Sequence, residues 1–423
     1  MARAASSVAL TGPARWPRVM RLLRVVGPAW IVMLADVDAP SVISAGQAGT
    51  DFAYATIFPL LLCVPVLYLV QEMTARLGIV TGKGHAELIR ERYGVGWASL
   101  AVLAMVAVDL IAYVAEFAGI ALGAALIGIP PALAIGGALA LHSLWVLTGS
   151  YRRFEAVTIG LSLSLFAFVA LAAAGHPDTA ALLGGLSPLQ PFADARYQDL
   201  VVALVGASIM PWMVFYQQAA TAEKRLTVED LPAARQETLV SAVVSQGLMV
   251  AIVVAAAAAM ARATRVAPSS LGTVGVLPEG LSRLGAGGWG GLIAVGLIGS
   301  GLLAAVVISL SSAWAWCELF QWPRSLHLPV RRARGFYLLY LLEVMPAAGV
   351  ALLAPDLVTL VLDAMILNVV ALAVPLVFLI RLSSDRALLG PLANSRPRAA
   401  LLWSLTAGLL GLGGLSLAHI LGL

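Results

Sequence analysis

The sequence predicts an all-α integral membrane protein with about eleven transmembrane helices, arranged as two sets of five and one further helix. Of its 423 residues, 61% are hydrophobic and only 11% are charged, whereas soluble domains carry about 25% charged residues. Apolar runs of about 20 residues, the length that crosses a bilayer as a helix, recur along the whole chain. Two of these runs are interrupted near the middle, at Pro40 and at Pro211.

Each apolar run is expected to form one transmembrane helix, here called a span, with ends accurate to a few residues. The expected spans, numbered one to eleven, lie near 22–45, 52–77, 98–127, 130–148, 156–175, 199–222, 237–262, 288–319, 334–354, 356–382 and 399–422.

Basic residues are concentrated in alternate loops, which predicts the orientation of the chain. The loops after spans two, four, six, eight and ten are rich in Lys and Arg, whereas those after spans three and nine carry none and the one after span five has Arg196. Only the loop after span seven, with Arg262, Arg265 and Arg283, goes against this alternation. We therefore expect a multi-pass protein of the cell (plasma) membrane with a cytoplasmic amino terminus.

The first span contains two carboxylates, Asp36 and Asp38, just before Pro40. An acid inside a transmembrane segment costs about 2.5–3.5 kcal/mol and is by default a functional residue. Proline removes a backbone donor and disfavours helix at the residue before it, so the span should break here. Carbonyl groups without helical partners beside two acids predict a cation site.

The sixth span is interrupted in the same way by Met210-Pro211, and Gln217 and Gln218 follow within two turns. Interrupted helices in corresponding positions of two halves indicate a transporter binding site built from inverted repeats. The spacing of five spans between Pro40 and Pro211 therefore predicts two repeats of five.

The chain resembles the Nramp family of divalent-metal transporters, most closely the Nramp-related branch that includes magnesium transporters. The resemblance covers about Pro28 to Gly390. The segments that carry it are, in chain order, Ala35-Asp36-Val37-Asp38-Ala39, Ala48-Gly49, Phe52-Ala53-Tyr54, Ala75-Arg76-Leu77-Gly78, Ala115-Glu116-Phe117, Tyr151-Arg152-Arg153, Ala207-x-x-Met210-Pro211, Phe215-Tyr216-Gln217-Gln218 and Ile380-Arg381-Leu382-Ser383-Ser384-Asp385-Arg386.

The resemblance implies a LeuT-like fold of five plus five helices with helices 1 and 6 broken. Residues 1–20 would form a cytoplasmic tail, and residues 21–390 the transporter core, with repeats at about 22–175 and 199–382. Residues 391–423 would contribute an extra carboxy-terminal transmembrane helix.

Carried over residue by residue, the resemblance implies that the metal ligands are the Asp38 carboxylate, the Met210 thioether and the backbone carbonyls of Ala35 and Ala207. Ser41 stands where Nramp proteins have an asparagine, and Pro40 replaces a glycine. A thioether favours softer transition metals, so Mn²⁺ is the first candidate, with Mg²⁺ or Fe²⁺ as alternatives. Met210 as a mere packing residue is the competing interpretation.

Further residues are expected to assist the site or the coupling of transport to protons. Asp36 either adds charge at the site or faces a water-filled vestibule, and Gln217 follows the second break. Trp212 and Tyr113 occupy the places where Nramp proteins have a histidine and an aspartate, and neither titrates near neutral pH. Glu116 and Asp109 remain as candidate proton carriers on roughly one helix face, so proton coupling is expected to be weak or absent.

The leading prediction is therefore alternating-access transport of a divalent cation by a protein that is not an enzyme and has no cofactor. Its partners would be the metal ion and the lipid bilayer, with no nucleic acid, and the chain is expected to be monomeric. The alternative is the same scaffold carrying another substrate, such as an amino acid or small organic ion. A disulfide is not expected, because Cys63 and Cys317 both lie in apolar runs.

Overall fold

A computed structural model of the chain describes residues 25–147, 150–261, 277–351 and 357–421, and these contain helices and no β-strand. The predicted tail at 1–20, together with Arg262 and Arg265, lies outside the described residues. The α-helices are α1 Pro28–Ala35, α2 Ala39–Phe52, α3 Ile57–Thr81, α4 His85–Tyr93, α5 Val95–Leu126, α6 Pro131–Leu147, α7 Tyr151–Ser162, α8 Ala167–Ala174, α9 Thr179–Gly184, α10 Ala195–Ser208, α11 Pro211–Glu223, α12 Leu231–Ala261, α13 Glu279–Leu284, α14 Gly290–Phe320, α15 Arg334–Ala351, α16 Leu357–Ser383, α17 Arg386–Leu389 and α18 Arg396–Leu421.

Helices lie at all eleven places where the sequence predicts a span. In the part of the chain that the structure describes, eight helical segments are long and apolar enough to cross a membrane, and α1 with α2, bent by 53°, forms a ninth as one broken span. The remaining two predicted spans are the shorter apolar helix α6, of 17 residues, and α15, of 18 residues, which contains Glu343.

The helices pack in pairs that lie five spans apart. Helix α5 of span three packs against α14 of span eight, α3 of span two against α12 of span seven, and α6 of span four against α15 of span nine. The two halves of span one also contact the two halves of span six. This pairing fits two repeats of five and places both broken spans in the centre of the bundle.

The arginine-rich loops lie on one side of the bundle, here called the basic face. Arg92, between spans two and three, lies 3.6 Å from Asp385, between spans ten and eleven. Arg324, after span eight, pairs with Glu87 of α4. On the opposite side, Arg196 pairs with Asp51 at 2.8 Å. The contacts therefore separate the loops as the charge pattern predicted.

The beginning of α1 is held at the basic face by polar side chains of other spans. Glu237 of α12 accepts hydrogen bonds from the backbone N–H groups of Gly27, at 2.7 Å, and Trp30, at 3.0 Å. A carboxylate at this place is favourable because the first N–H groups of a helix have no partners within the helix. Lys224, after α11, donates to the Val26 carbonyl at 2.6 Å and to Glu155 at 2.5 Å.

Candidate metal site

Both interrupted spans break as predicted, but the prolines do not lie in the gaps. The gap in span one is Asp36 to Asp38, and Pro40 is already in the first turn of α2. The gap in span six is Ile209 and Met210, and Pro211 is the first residue of α11. Proline suits the first turn of a helix because that N–H would have no helical partner, so each proline starts a half-helix.

The two prolines nevertheless release specific carbonyl groups from the helical pattern. In a continuous helix the Asp36 carbonyl would bond to the N–H of residue 40 and the Ala207 carbonyl to that of residue 211, and proline has none. The Ser41 hydroxyl lies against both, at 2.7 Å from the Asp36 oxygen and 3.1 Å from the Ala207 oxygen. The structure thus brings the two breaks into contact through Ser41.

The carbonyl of Ala35, a predicted metal ligand, also lacks its helical hydrogen bond, but for a different reason. Its helical partner would be the N–H of Ala39, and that group donates instead to Glu116 Oε2 of α5, at 3.1 Å. Glu116 thereby caps the start of α2, where a carboxylate is stabilised by the helix dipole. The approach is close because residue 119 is glycine: a Cβ there would meet the Cβ of Ala39.

Asp38 lies at the amino-terminal cap of α2 and is fully buried. Its Oδ1 accepts a hydrogen bond from the Ser41 N–H at 2.8 Å. Its Oδ2, like Oε1 of Glu116, has no hydrogen-bond partner among the described residues. The two carboxyl groups interact with each other, and like charges in such a place need a cation or a proton between them. Where a cation takes the place of that proton, Oδ2 of Asp38 is available to bind it.

Met210 caps the second half of span six, and its side chain is completely buried. Its sulfur accepts a hydrogen bond from the indole Nε1 of Trp212 at 3.1 Å, and its backbone N–H points at the sulfur of Met213, 3.4 Å away. The Trp212 carbonyl in turn accepts from the Ser311 hydroxyl of α14 at 2.9 Å. Trp212 and the first turn of α11 thus hold the thioether in place at the break.

Asp36 follows α1 directly and is buried, yet neither of its carboxylate oxygens has a hydrogen-bond partner in the described parts of the chain. Its backbone, unlike its side chain, is fully engaged: the N–H bonds to Val32 O at 3.2 Å and the carbonyl accepts from Ser41. The carboxylate interacts electrostatically with Asp38. Asp36 is thus a second buried acid beside Asp38.

The structure does not bring three of the predicted auxiliary residues to the breaks. Asp109 accepts from the Ser312 hydroxyl of α14 at 2.9 Å. The Tyr113 hydroxyl donates to Glu343 Oε2 of α15 at 3.4 Å, and Gln217 donates to the Thr238 hydroxyl at 3.4 Å. Of the auxiliary residues predicted in span three, Glu116 is the one that bonds to the start of α2.

Sequence reasoning missed Glu343 and the serines of α14. Glu343 is a buried acid within the apolar run at 334–354, the same signal that drew attention to Asp36 and Asp38, and it was available from the sequence. Ser311 and Ser312 carry no such signal, because a serine in a membrane helix commonly bonds to its own backbone.

The donors at the breaks differ from the usual cluster of metal-binding side chains. Among the described residues, no group of three or more His, Cys, Asp or Glu could hold a metal ion. The donors at the breaks are of another kind: one free carboxylate oxygen, a hydroxyl, a thioether and carbonyl groups. Oxygen donors suit hard cations, and the sulfur suits softer ones. Together these donors suit a divalent ion of intermediate hardness.

The chain matches the model of one protein family, described as natural resistance-associated macrophage protein-like (Nramp), over residues 29–419. It belongs to the Nramp family. A divalent metal cation transporter of Ralstonia nicotianae is 33% identical over 424 residues, which cover 93% of this chain and 90% of the relative. A second divalent metal cation transporter, from Pseudomonas aeruginosa, is 31% identical, over 96% of this chain and 94% of its own length.

The solved structures that resemble this Nramp protein confirm its fold. A manganese transporter of Eremococcus coleocola superposes with a TM-score of 0.76 at 19% identity, covering 96% of this chain and 88% of the transporter. A Na⁺-coupled sialic acid symporter superposes with a TM-score of 0.61 at 12% identity, over 95% of this chain and 96% of the symporter. The predicted all-α, LeuT-like fold is thus correct. Nramp proteins are transporters, so the prediction that the chain is not an enzyme is also confirmed.

Proposed function

We propose that this Nramp protein is a secondary transporter that moves a divalent metal cation across the membrane by alternating access. The ion binds between the broken spans, with Asp38 as its charged ligand and the hydroxyl of Ser41, the sulfur of Met210 and the carbonyls of Ala35 and Ala207 as neutral donors. Asp36 adds charge nearby without binding the ion directly.

One observation carries this proposal: Ser41 contacts carbonyls of both breaks, Asp36 at 2.7 Å and Ala207 at 3.1 Å, beside the unpartnered oxygen of Asp38. Oxygen atoms that converge from two half-helices at the centre of a bundle form the cation sites of transporters with broken helices. A buried carboxylate without a partner is costly, and a bound cation relieves that cost.

Mn²⁺ is the proposed principal substrate, and Mg²⁺ and Fe²⁺ are the alternatives. The Met210 thioether supports Mn²⁺ over Mg²⁺, because sulfur prefers transition metals. The related proteins are named for divalent metal cations and, in the structure from Eremococcus coleocola, for manganese. The ion is the substrate, and no resident cofactor is proposed.

Weak or absent proton coupling is part of the proposal. Trp212, beside the site, carries no group that titrates near neutral pH, and the Tyr113 hydroxyl donates to Glu343. Transport would then follow the metal gradient and the membrane potential, which contributes about 2.3 kcal/mol per charge per 100 mV.

We place the protein in the plasma membrane with the basic face towards the cytoplasm. Basic loops remain on the cytoplasmic side during insertion. Alternating access would then require the start of α1 to leave Glu237 and Lys224 when the site opens to the cytoplasm. Both residues hold that end of the helix in the present structure.

The deciding experiment is Mn²⁺ uptake into proteoliposomes, with a parallel panel of Mg²⁺, Fe²⁺ and amino acids and a pH dye inside the vesicles. Uptake should occur in the wild type and be lost in Asp38→Ala. Asp385→Ala is the matched control, since this carboxylate caps a short helix at the basic face and should leave uptake intact. Equal uptake in wild type and Asp38→Ala, amino-acid uptake without metal uptake, or stoichiometric proton entry would each contradict part of the proposal.

A further inference from the structure

We propose that Trp212 sets the metal preference of the site by donating its indole N–H to the Met210 sulfur, which weakens the thioether as a ligand for soft cations. This inference rests on the proposed function. Trp212 acts through Met210 and is a positioning residue without contact to the ion.

The geometry of the contact is specific. The indole Nε1 lies 3.1 Å from Sδ of Met210, and both side chains are buried from solvent. The two residues are neighbours across the start of α11, Met210 as its cap and Trp212 as its second residue, so the same helix turn fixes their separation. The donor cannot turn to water, because Trp212 is only 1% exposed.

Trp212 is also held from the other side. Its carbonyl accepts from the Ser311 hydroxyl at 2.9 Å, which ties the first turn of α11 to α14. Loss of the bond to sulfur would leave a buried N–H without a partner, an unfavourable state. The folded structure therefore favours the hydrogen bond between Trp212 and Met210.

The chemical consequence follows from the donor properties of sulfur. A thioether sulfur has two lone pairs, and a hydrogen bond to one of them withdraws electron density from the other. Hydrogen bonds to ligand sulfur atoms tune metal sites in this way, and outer partners of this kind change metal affinity by about 10–100-fold. A weakened sulfur contributes less to soft ions such as Cd²⁺ and changes little for Mg²⁺, which binds through oxygen.

The preference can be measured as the ratio of Cd²⁺ to Mg²⁺ affinity of the purified full chain in detergent. Trp212→Phe keeps an aromatic ring and removes the N–H, so the ratio should rise by about tenfold. Ser311→Ala removes the hydrogen bond to the Trp212 carbonyl without changing any ring, and it is the variant to use if Trp212→Phe does not fold. Its ratio should also rise, by less than that of Trp212→Phe. Trp30→Phe is the matched control, since the Trp30 indole donates to an oxygen, the Ser162 hydroxyl at 3.0 Å, and the ratio should not change.

A double-mutant cycle shows whether the effect passes through sulfur. In a Met210→Ala background, Trp212→Phe should leave the ratio unchanged, because there is no thioether to release. The same rise in both backgrounds, or no rise in either Trp212→Phe or Ser311→Ala, overturns the inference. Failure of the wild type to bind Mn²⁺ refutes the proposed function instead, so the two failures are distinct.

Discussion

The Ser41 hydroxyl lies 3.1 Å from the carbonyl oxygen of Ala207, and this contact joins the two broken spans of the protein. The same hydroxyl lies 2.7 Å from the Asp36 carbonyl. It has one hydrogen for two acceptors, so one of the carbonyls always keeps free electron pairs. The contact thus closes the gap between the half-helices without using up their capacity to bind a cation.

Replacing Ser41 by alanine should destabilise the metal-free protein. Whichever carbonyl accepts the hydroxyl hydrogen would lose its donor within a buried site, and an unsatisfied buried acceptor costs about 1–3 kcal/mol. The melting temperature of the purified protein should fall, and added Mn²⁺ should raise it again by binding the folded state. Ser41→Thr keeps the hydroxyl and is the control. A melting temperature equal to that of the wild type would show that the contact does not stabilise the protein.

The two acids of span one should differ sharply in metal binding. Asp38 presents a free oxygen at the break and Asp36 interacts with it only through charge. Asp38→Asn should therefore lower Mn²⁺ affinity by more than about tenfold, the equivalent of 1.4 kcal/mol, and Asp36→Asn by clearly less. Titration calorimetry on both variants measures the difference. A larger loss in Asp36→Asn would reverse the roles assigned here.

Glycine at 119 should be required for the contact between α5 and α2. A Cβ at this position collides with the Cβ of Ala39, whereas a Cβ at Gly96, on the same helix, meets nothing within 4 Å. Gly119→Ala should cost about 1–3 kcal/mol through overpacking and displace Glu116 from the Ala39 N–H. Gly96→Ala should be neutral or slightly stabilising in the same denaturation experiment. Similar behaviour of the two variants would mean that α5 can move away without loss.

The positions of the helices were largely predictable from the sequence. An apolar run of 20 residues has few alternatives in a membrane, because backbone groups must be satisfied within the segment. The break at Asp36 to Asp38 was predictable for the same reason, since two acids and a proline are poorly accommodated in a continuous buried helix. The place of Pro40 within the break was not, because proline both ends one helix and suits the start of the next.

The partners of the polar residues could not be predicted. Asp109 and Glu116 lie on similar faces of α5 in an ideal helix, yet one bonds to Ser312 and the other to Ala39. The neighbour that a helix face contacts depends on how distant spans pack. The periodicity of one helix carries no information about that packing. The contact of Trp212 with Met210 depends in turn on the non-helical backbone at the break.

His85, at the start of α4 on the basic face, links three parts of the protein. Its Nδ1 lies 2.9 Å from the side-chain oxygen of Gln218, and its Nε2 lies 3.2 Å from the carbonyl oxygen of Pro375 in span ten. Gln218 also donates to the Lys83 carbonyl at 3.1 Å. Burial disfavours the charged imidazole and lowers the pKa of His85 from 6.5 to about 4, although both oxygens oppose the shift.

The stability of the protein should therefore fall in mild acid through His85. Below pH 6.5 the unfolded chain binds a proton that the folded chain refuses until about pH 4, so stability is complete above pH 6.5 and decreases as the pH falls through this window. Between pH 7.5 and pH 5 the loss amounts to about 2 kcal/mol. His85→Gln should remove this part of the decrease, and His419→Gln, at a largely exposed position, should not. Melting temperatures measured in detergent across the window give the comparison; parallel curves for wild type and His85→Gln would show that the imidazole stays neutral in both states or is protonated in both.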